Sequence, residues 1–193
     1  MDAPQAAEHL DAVDDILRRA EVAGSPPALQ FIVWGAVGIA FNTVGQLVGM
    51  GKVGPSAFWL AGAVLALALV VSAWDGRRMQ RTASRQSTIG RLAAFSFWVA
   101  AGVMTVLTVM NEFTNLFPPF SPGVFYAAGM SIALLALGFG LRSTVLTLGG
   151  LALVASIAVA FLVPVWLGAI LAIGNFAGFI LPGISFAMAK SDG

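Results

Sequence analysis

In a chain this apolar, chemistry has few places to sit. Two asparagines and a glutamine interrupt otherwise apolar stretches: Asn42, Gln46 and Asn175. Around the first, Gly35, Gly38, Asn42, Gly45 and Gly49 recur at a 3-4-3-4 spacing, which places them on one helix face. Gln46 follows one turn beyond Asn42. Around the second asparagine, Gly168, Ala172, Asn175, Gly178 and Pro182 make a similar stripe. Two uses of such stripes stand open. Glycines let helices approach closely while an amide finds a partner across the contact; Asn42 and Asn175, each about mid-membrane on its own span, would then bond each other and make their two helices neighbours. Alternatively, the amides line a path for a neutral solute or an ion.

Two further groups carry polar chemistry. Thr105, Thr108, Glu112 and Asn115 share a face, with Glu112 the acid at its end. They read either as the outer vestibule of a cation path or as a wet helix end. Arg77, Arg78, Arg81 and Arg85 lie in a segment, Asp75 to Arg91, with five arginines and one aspartate, a balance of +4. Such a cluster suits lipid headgroups or an acidic helix docked on it.

Catalysis has little to work with. His9 is the single histidine and there is no cysteine, which removes a His-ligated zinc site, thiolate ligation and a Ser–His dyad. No two acids share an apolar run, so a carboxylate dyad has no members. Asp75-Gly76-Arg77-Arg78 lacks the further acids that a phosphate-bound metal needs. The expectation is a non-enzyme with no catalytic residue, metal or cofactor. A net charge of +1 gives no reason to expect a nucleic-acid partner.

The elements that must position these residues are membrane spans. Hydrophobic residues make up 59% and charged ones 10% of the 193, against about 25% charged in a soluble domain. The charges cluster, and the apolar runs between them are long enough to cross a ~30 Å hydrocarbon core. Six spans are expected: Ala28–Met50, Ala57–Trp74, Leu92–Met110, Val124–Leu141, Thr144–Leu162 and Val165–Met188. Leu181-Pro182-Gly183 should kink or end the sixth, because proline removes a donor and clashes one turn back. Spans four and five are separated only by Arg142-Ser143.

With the N-terminus inside, Arg18, Arg19, Arg77, Arg78, Arg81, Arg85, Arg91, Arg142 and Lys190 are cytoplasmic and Lys52 alone is external. That is the bias expected of a multi-pass protein of the cell (plasma or inner) membrane with both termini cytoplasmic.

PSAFWLAG at 55–62 returns as PGVFYAAG at 122–129, each turning from an outer loop into an even-numbered span. Both lead into a small-xxx-small pair, Gly62/Ala66 and Gly129/Ala133, and Pro164-Val-Trp166-Leu-Gly168 echoes them. The expected architecture is all-α: three tandem hairpins, 28–74, 92–141 and 144–188, within a bundle of residues 28–193. Duplication of one hairpin is the preferred account; the alternative is convergence on helix-starting prolines, interfacial aromatics and small pairs.

Residues 1–27 form the other unit. Asp2 with Gln5 is a capping pattern, Gly24 before Pro26-Pro27 is a stop, and Leu10, Val13, Leu17 and Ala20 make an apolar face. The cytoplasmic amphipathic helix so expected has six acids against Arg18 and Arg19, a balance of −4. Anionic lipid repels it, so its apolar face calls for protein. The partners expected are the bilayer and a protein met through residues 5–22. The leading functional expectation is an accessory, scaffold or regulatory subunit; the alternative is a small channel or transporter lined by Asn42, Gln46 and Asn175.

Overall fold

Apolar runs of this length leave the backbone no partner in lipid but itself, so helices are the expected outcome. The structure, a computed structural model, describes residues 28–82, 103, 110 and 122–191, and every regular element among them is helical. Helix α1 is Ala28–Gly49, α2 Phe58–Thr82, α3 Pro122–Gly140, α4 Thr144–Leu162, α5 Leu167–Asn175 and α6 Leu181–Ser191. Five stretches, with α5 and α6 as one rod, are long and apolar enough to cross a membrane. This is a helical membrane protein. The expected third span, Leu92–Met110, lies outside the described residues except for Val103 and Met110, and so does the N-terminal segment 1–27.

Three places need a physical account: at the first the helix departs from the sequence expectation, and at the other two the structure shows how an expected interruption is made. Helix α2 does not stop at Trp74 but runs on to Thr82, since Asp75–Thr82 holds no proline and its single glycine, Gly76, costs a helix only about 1 kcal/mol. The sixth span does not end at its proline either. A wide turn over Phe176–Ile180, in which the Leu181 N–H bonds the Phe176 carbonyl, leads directly into α6. Pro182 has no N–H for the carbonyl four residues back, and widening the turn before it keeps the rod continuous.

The third place is the junction at Arg142. Ser143 N–H bonds Gly138 O at 2.8 Å and Arg142 N–H bonds Phe139 O at 3.3 Å, the paired bonds that close a helix through one left-handed residue. Arg142 is that residue, with φ 52°. Ser143 then opens α4, its Oγ accepting from Leu146 N–H. Two residues suffice because one serine serves both helices. A left-handed conformation costs a side-chain-bearing residue about 1–2 kcal/mol. Arg142→Gly should therefore raise unfolding stability in detergent by about 1 kcal/mol, and a loss of stability would show that the arginine side chain holds the turn.

Glycine contacts fix the helix directions. A Cβ at Gly138 would strike Thr147, and one at Gly150 would meet Leu135 at 2.7 Å, so α3 and α4 are antiparallel. Gly174 lies against Ser156 and Gly178 against Leu153 and the Gly149 carbonyl, so the α5–α6 rod is antiparallel to α4. Gly35 meets Phe179 and Gly183 meets Ile32, so the rod is also antiparallel to α1. The rod thus sits between α1 and α4. Lipid is as apolar as leucine, so close backbone approach at small residues, rather than hydrophobic burial, holds these crossings.

Two apolar clusters fill the bundle. Phe31, Met130, Leu134, Leu146, Leu153 and Phe179 meet toward the Arg142 end, where Phe31 and Phe186 stack edge to face at 5.8 Å. Val124, Ala127 and Leu171 meet toward the other end. Helix α2 packs along α1 with Trp59, Leu60, Leu67 and Val70 exposed on its far side.

Two of the three proline-led echoes share a local form: Pro55–Ala57 and Pro164–Trp166 are each one tight 3₁₀ turn before a helix, whereas Pro122 opens α3 itself. A Cβ at Gly62 would meet no described residue within 4 Å, so that glycine makes no close crossing among them. The tight α3–α4 contact joins spans four and five, across the boundary between the second and third expected hairpins.

Candidate functional site

Helix α1 carries three amides, and tertiary structure gives each a different partner. Gln46 reaches across to the start of the rod. Its Oε1 accepts from the Gly168 N–H at 2.8 Å and the Ala169 N–H at 3.3 Å, while its Nε2 donates to the Val165 carbonyl at 2.7 Å. The first N–H groups of a helix have no partner in their own helix. Leu167 follows a proline-led turn with no side-chain cap of its own, and Gln46 supplies one from another helix.

Asn42 and Asn175 stand at the same crossing without bonding each other. Asn42 Nδ2 donates to Gly38 O and Asn175 Nδ2 to Leu171 O, each at 2.8 Å and each four residues back in its own helix. The register explains this. Asn175 is seated on Gly38, one turn from Asn42, and Asn42 Oδ1 is seated on Gly123 of α3, 2.7 Å from where a Cβ would be. The expected neighbourhood of the first and last spans is present; the expected amide-to-amide bond is replaced by two amides folded onto their own helices and packed into opposing glycines.

The glycine stripe of α1 divides at this point. Gly35 and Gly38 are occupied by Phe179, Ile180 and Asn175, whereas a Cβ at Gly45 or Gly49 meets nothing within 4 Å among the described residues. On the rod, Gly168 lies against the Asn42 carbonyl and the Gln46 backbone, and Gly178 faces α4 instead of α1. One sequence stripe therefore serves two neighbours.

A second polar knot escaped the reading by stripes. At the Arg142 end, Ser72 Oγ donates to Gln30 Oε1 at 2.8 Å, and Gln30 Nε2 donates to Asp75 Oδ2 at 3.1 Å. All three side chains are buried, Gln30 at 4% exposure and Asp75 at 8%. The chain of bonds ties the first turn of α1 to α2. Ser72 and Asp75 are three apart on one helix face, and that spacing is the signal that was legible. Their alignment with Gln30 needed the α1–α2 register. Removing the carboxylate strands a buried amide donor, which costs about 1–3 kcal/mol. Asp75→Leu should lower unfolding stability by that amount, and Asp75→Asn by less, since its amide oxygen still accepts. Equal losses for the two would mean that packing volume, not the hydrogen bond, matters there.

Buried hydroxyls elsewhere are turned back onto their own helices: Ser131 Oγ to Ala128 O and Ser156 Oγ to Leu153 O, both at 2.7 Å. No three His, Cys, Asp or Glu side chains come together among the described residues. Thr105, Thr108, Glu112 and Asn115 lie outside those residues. Of the arginine cluster, Arg77 is exposed, Arg78 and Arg81 ride on the helical continuation of α2, and Arg85 lies outside the described residues.

The chain was compared with known protein families, curated proteins and solved structures. None matches.

Proposed function

We propose that the protein is a non-enzymatic integral membrane protein that works through protein contacts, as an accessory, scaffold or regulatory subunit. One observation carries this reading: Gln46 caps the rod instead of lining a path. Asn42 and Asn175 are likewise engaged and seated on glycines. Side chains engaged in closing a helix crossing do not serve as ligands for a passing solute.

The finer architecture belongs to the same proposal. Helices α1 and α2 are antiparallel, since Gln30 meets Asp75 near one end and Phe41 meets Phe58 near the other. Given the directions of the rod, α4 and α3, helices α2 and α3 point the same way. The chain between Thr82 and Pro122 then has to pass from one end of the bundle to the other, which supports a sixth span at Leu92–Met110. Among the described residues Arg77, Arg78, Arg81, Arg142 and Lys190 gather at one end and Lys52 at the other. By the basic-residue bias, the arginine end is cytoplasmic in a plasma or inner membrane. Reporters at both termini should be cytoplasmic and one near Gly54 external; an external C-terminus would remove the span at Leu92–Met110.

The functional test is purification in mild detergent. A stoichiometric protein partner is the expected result. Solute flux through liposomes made with the lone protein, lost in Asn42→Leu without unfolding, would overturn the reading in favour of a channel or transporter.

A further inference from the structure

Two proline-led turns of the same form stand at the end of the bundle away from Arg142, and their chemistry differs. Pro55–Ala57 follows Gly51, Lys52 and Gly54, all exposed, and no side chain caps it. Pro164–Trp166 closes Phe161–Trp166, six residues with no charge, hydroxyl or amide in their side chains. Leu162 is 81% exposed, Val165 69%, Phe161 59% and Trp166 52%. Contiguous apolar surface of this kind is a contact surface for something other than water.

The backbone points the same way. A turn in water can leave its N–H and C=O groups to solvent, whereas one in lipid has to satisfy them within the protein. Here Val163 N–H bonds Val159 O and Trp166 N–H bonds Val163 O, both at 3.0 Å, and Leu167 N–H bonds Pro164 O. The Gly168 and Ala169 N–H groups and the Val165 carbonyl are met by Gln46, reaching over from α1. Depth agrees. The 19 residues of α4 rise about 28 Å, close to the ~30 Å of a hydrocarbon core. With Arg142 at one boundary of the core, Val163 is at the other and has not crossed the headgroups. Helix α1 goes further: Gln46 is level with Val165, and α1 continues to Gly49 before the loop that carries Lys52.

We infer that the turn between α4 and the rod is a lipid-contact surface. Phe161, Leu162 and Val165 are seated among acyl chains, Trp166 is an interfacial anchor, and the Gln46 cap lets the turn stay out of water. The inference goes beyond the protein-contact reading and holds whichever way the chain faces. A water-soluble partner finds no surface at this corner; a partner that reaches it is itself embedded in the membrane.

The full chain has no cysteine, so single cysteines can carry a nitroxide in full-length protein in phosphatidylcholine nanodiscs, where both faces are open. Labels at Leu162→Cys and Val165→Cys should collide readily with oxygen, which partitions into lipid. They should collide several-fold less with a water-soluble nickel chelate than a label at Val53→Cys. Nickel collisions equal to those at Val53→Cys would put the turn in water and overturn the inference. Shielding from both reagents would mean that protein covers the turn, and would overturn it as well. These labels test depth without touching the cap. Adding Gln46→Leu should then raise nickel access at Val165→Cys several-fold, as the stranded N–H groups draw water, and leave Val53→Cys unchanged. No rise at Val165→Cys would overturn the part given to Gln46.

Discussion

Gly168→Leu should prevent the bundle from assembling, while Gly45→Ala on the facing helix should leave stability unchanged or slightly raised. At Gly168 a Cβ would lie 2.5 Å from the Asn42 carbonyl and 3.1 Å from the Gln46 nitrogen. Both are backbone atoms of α1 and cannot swing aside as a flexible side chain would. Overpacking costs about 1–3 kcal/mol where neighbours can move, and more where they cannot. Leucine here would also displace the Gln46 cap, which binds the same turn. At Gly45 the space is open among the described residues, and alanine gains up to about 1 kcal/mol of helix propensity. Thermal unfolding in detergent reads both. A Gly168→Leu protein as stable as the parent would mean that α1 and the rod do not cross there.

Removing the Gln46 side chain should cost about 2 kcal/mol. Gln46→Leu keeps most of the volume but strands the Gly168 and Ala169 N–H groups and the Val165 carbonyl, all of which Gln46 binds. Gln46→Glu should lose less, because a carboxylate still accepts from both N–H groups and suits the positive end of a helix. It forfeits the bond to Val165 and sets a carboxylate oxygen against that carbonyl, which is why glutamate still falls below the parent. This order, parent above glutamate above leucine, is the signature of a cap. If the glutamine instead lined a solute path, Gln46→Leu would stabilise the bundle and stop flux.

Residue types and spacing were enough to determine membrane residence, helical class, four of the span positions nearly to the residue and the clustering of basic residues. Each depends on runs of neighbouring residues and on the cost of bare backbone in lipid, which act before any tertiary contact forms. The pairing of the first and last spans was also legible, since each has a central amide at about mid-membrane on a stripe of small residues.

Tertiary structure alone decided what those amides do. A stripe shows which residues share a face but not the register against a neighbour. A shift of one turn, about 5.4 Å, turns an Asn42–Asn175 bond into two amides each folded onto its own helix. The same shift makes Gln46, which looked like an appendix to the stripe, the cap of a helix more than 100 residues away. Gln30 with Asp75 escaped for the same reason, being 45 residues apart and joined only by the α1–α2 alignment. Arg142 in a left-handed turn and the wide turn before Pro182 were hidden differently. A side-chain-bearing residue in a left-handed turn is locally disfavoured, and a proline shows only that a helix must adjust, not that it does so by a wider turn.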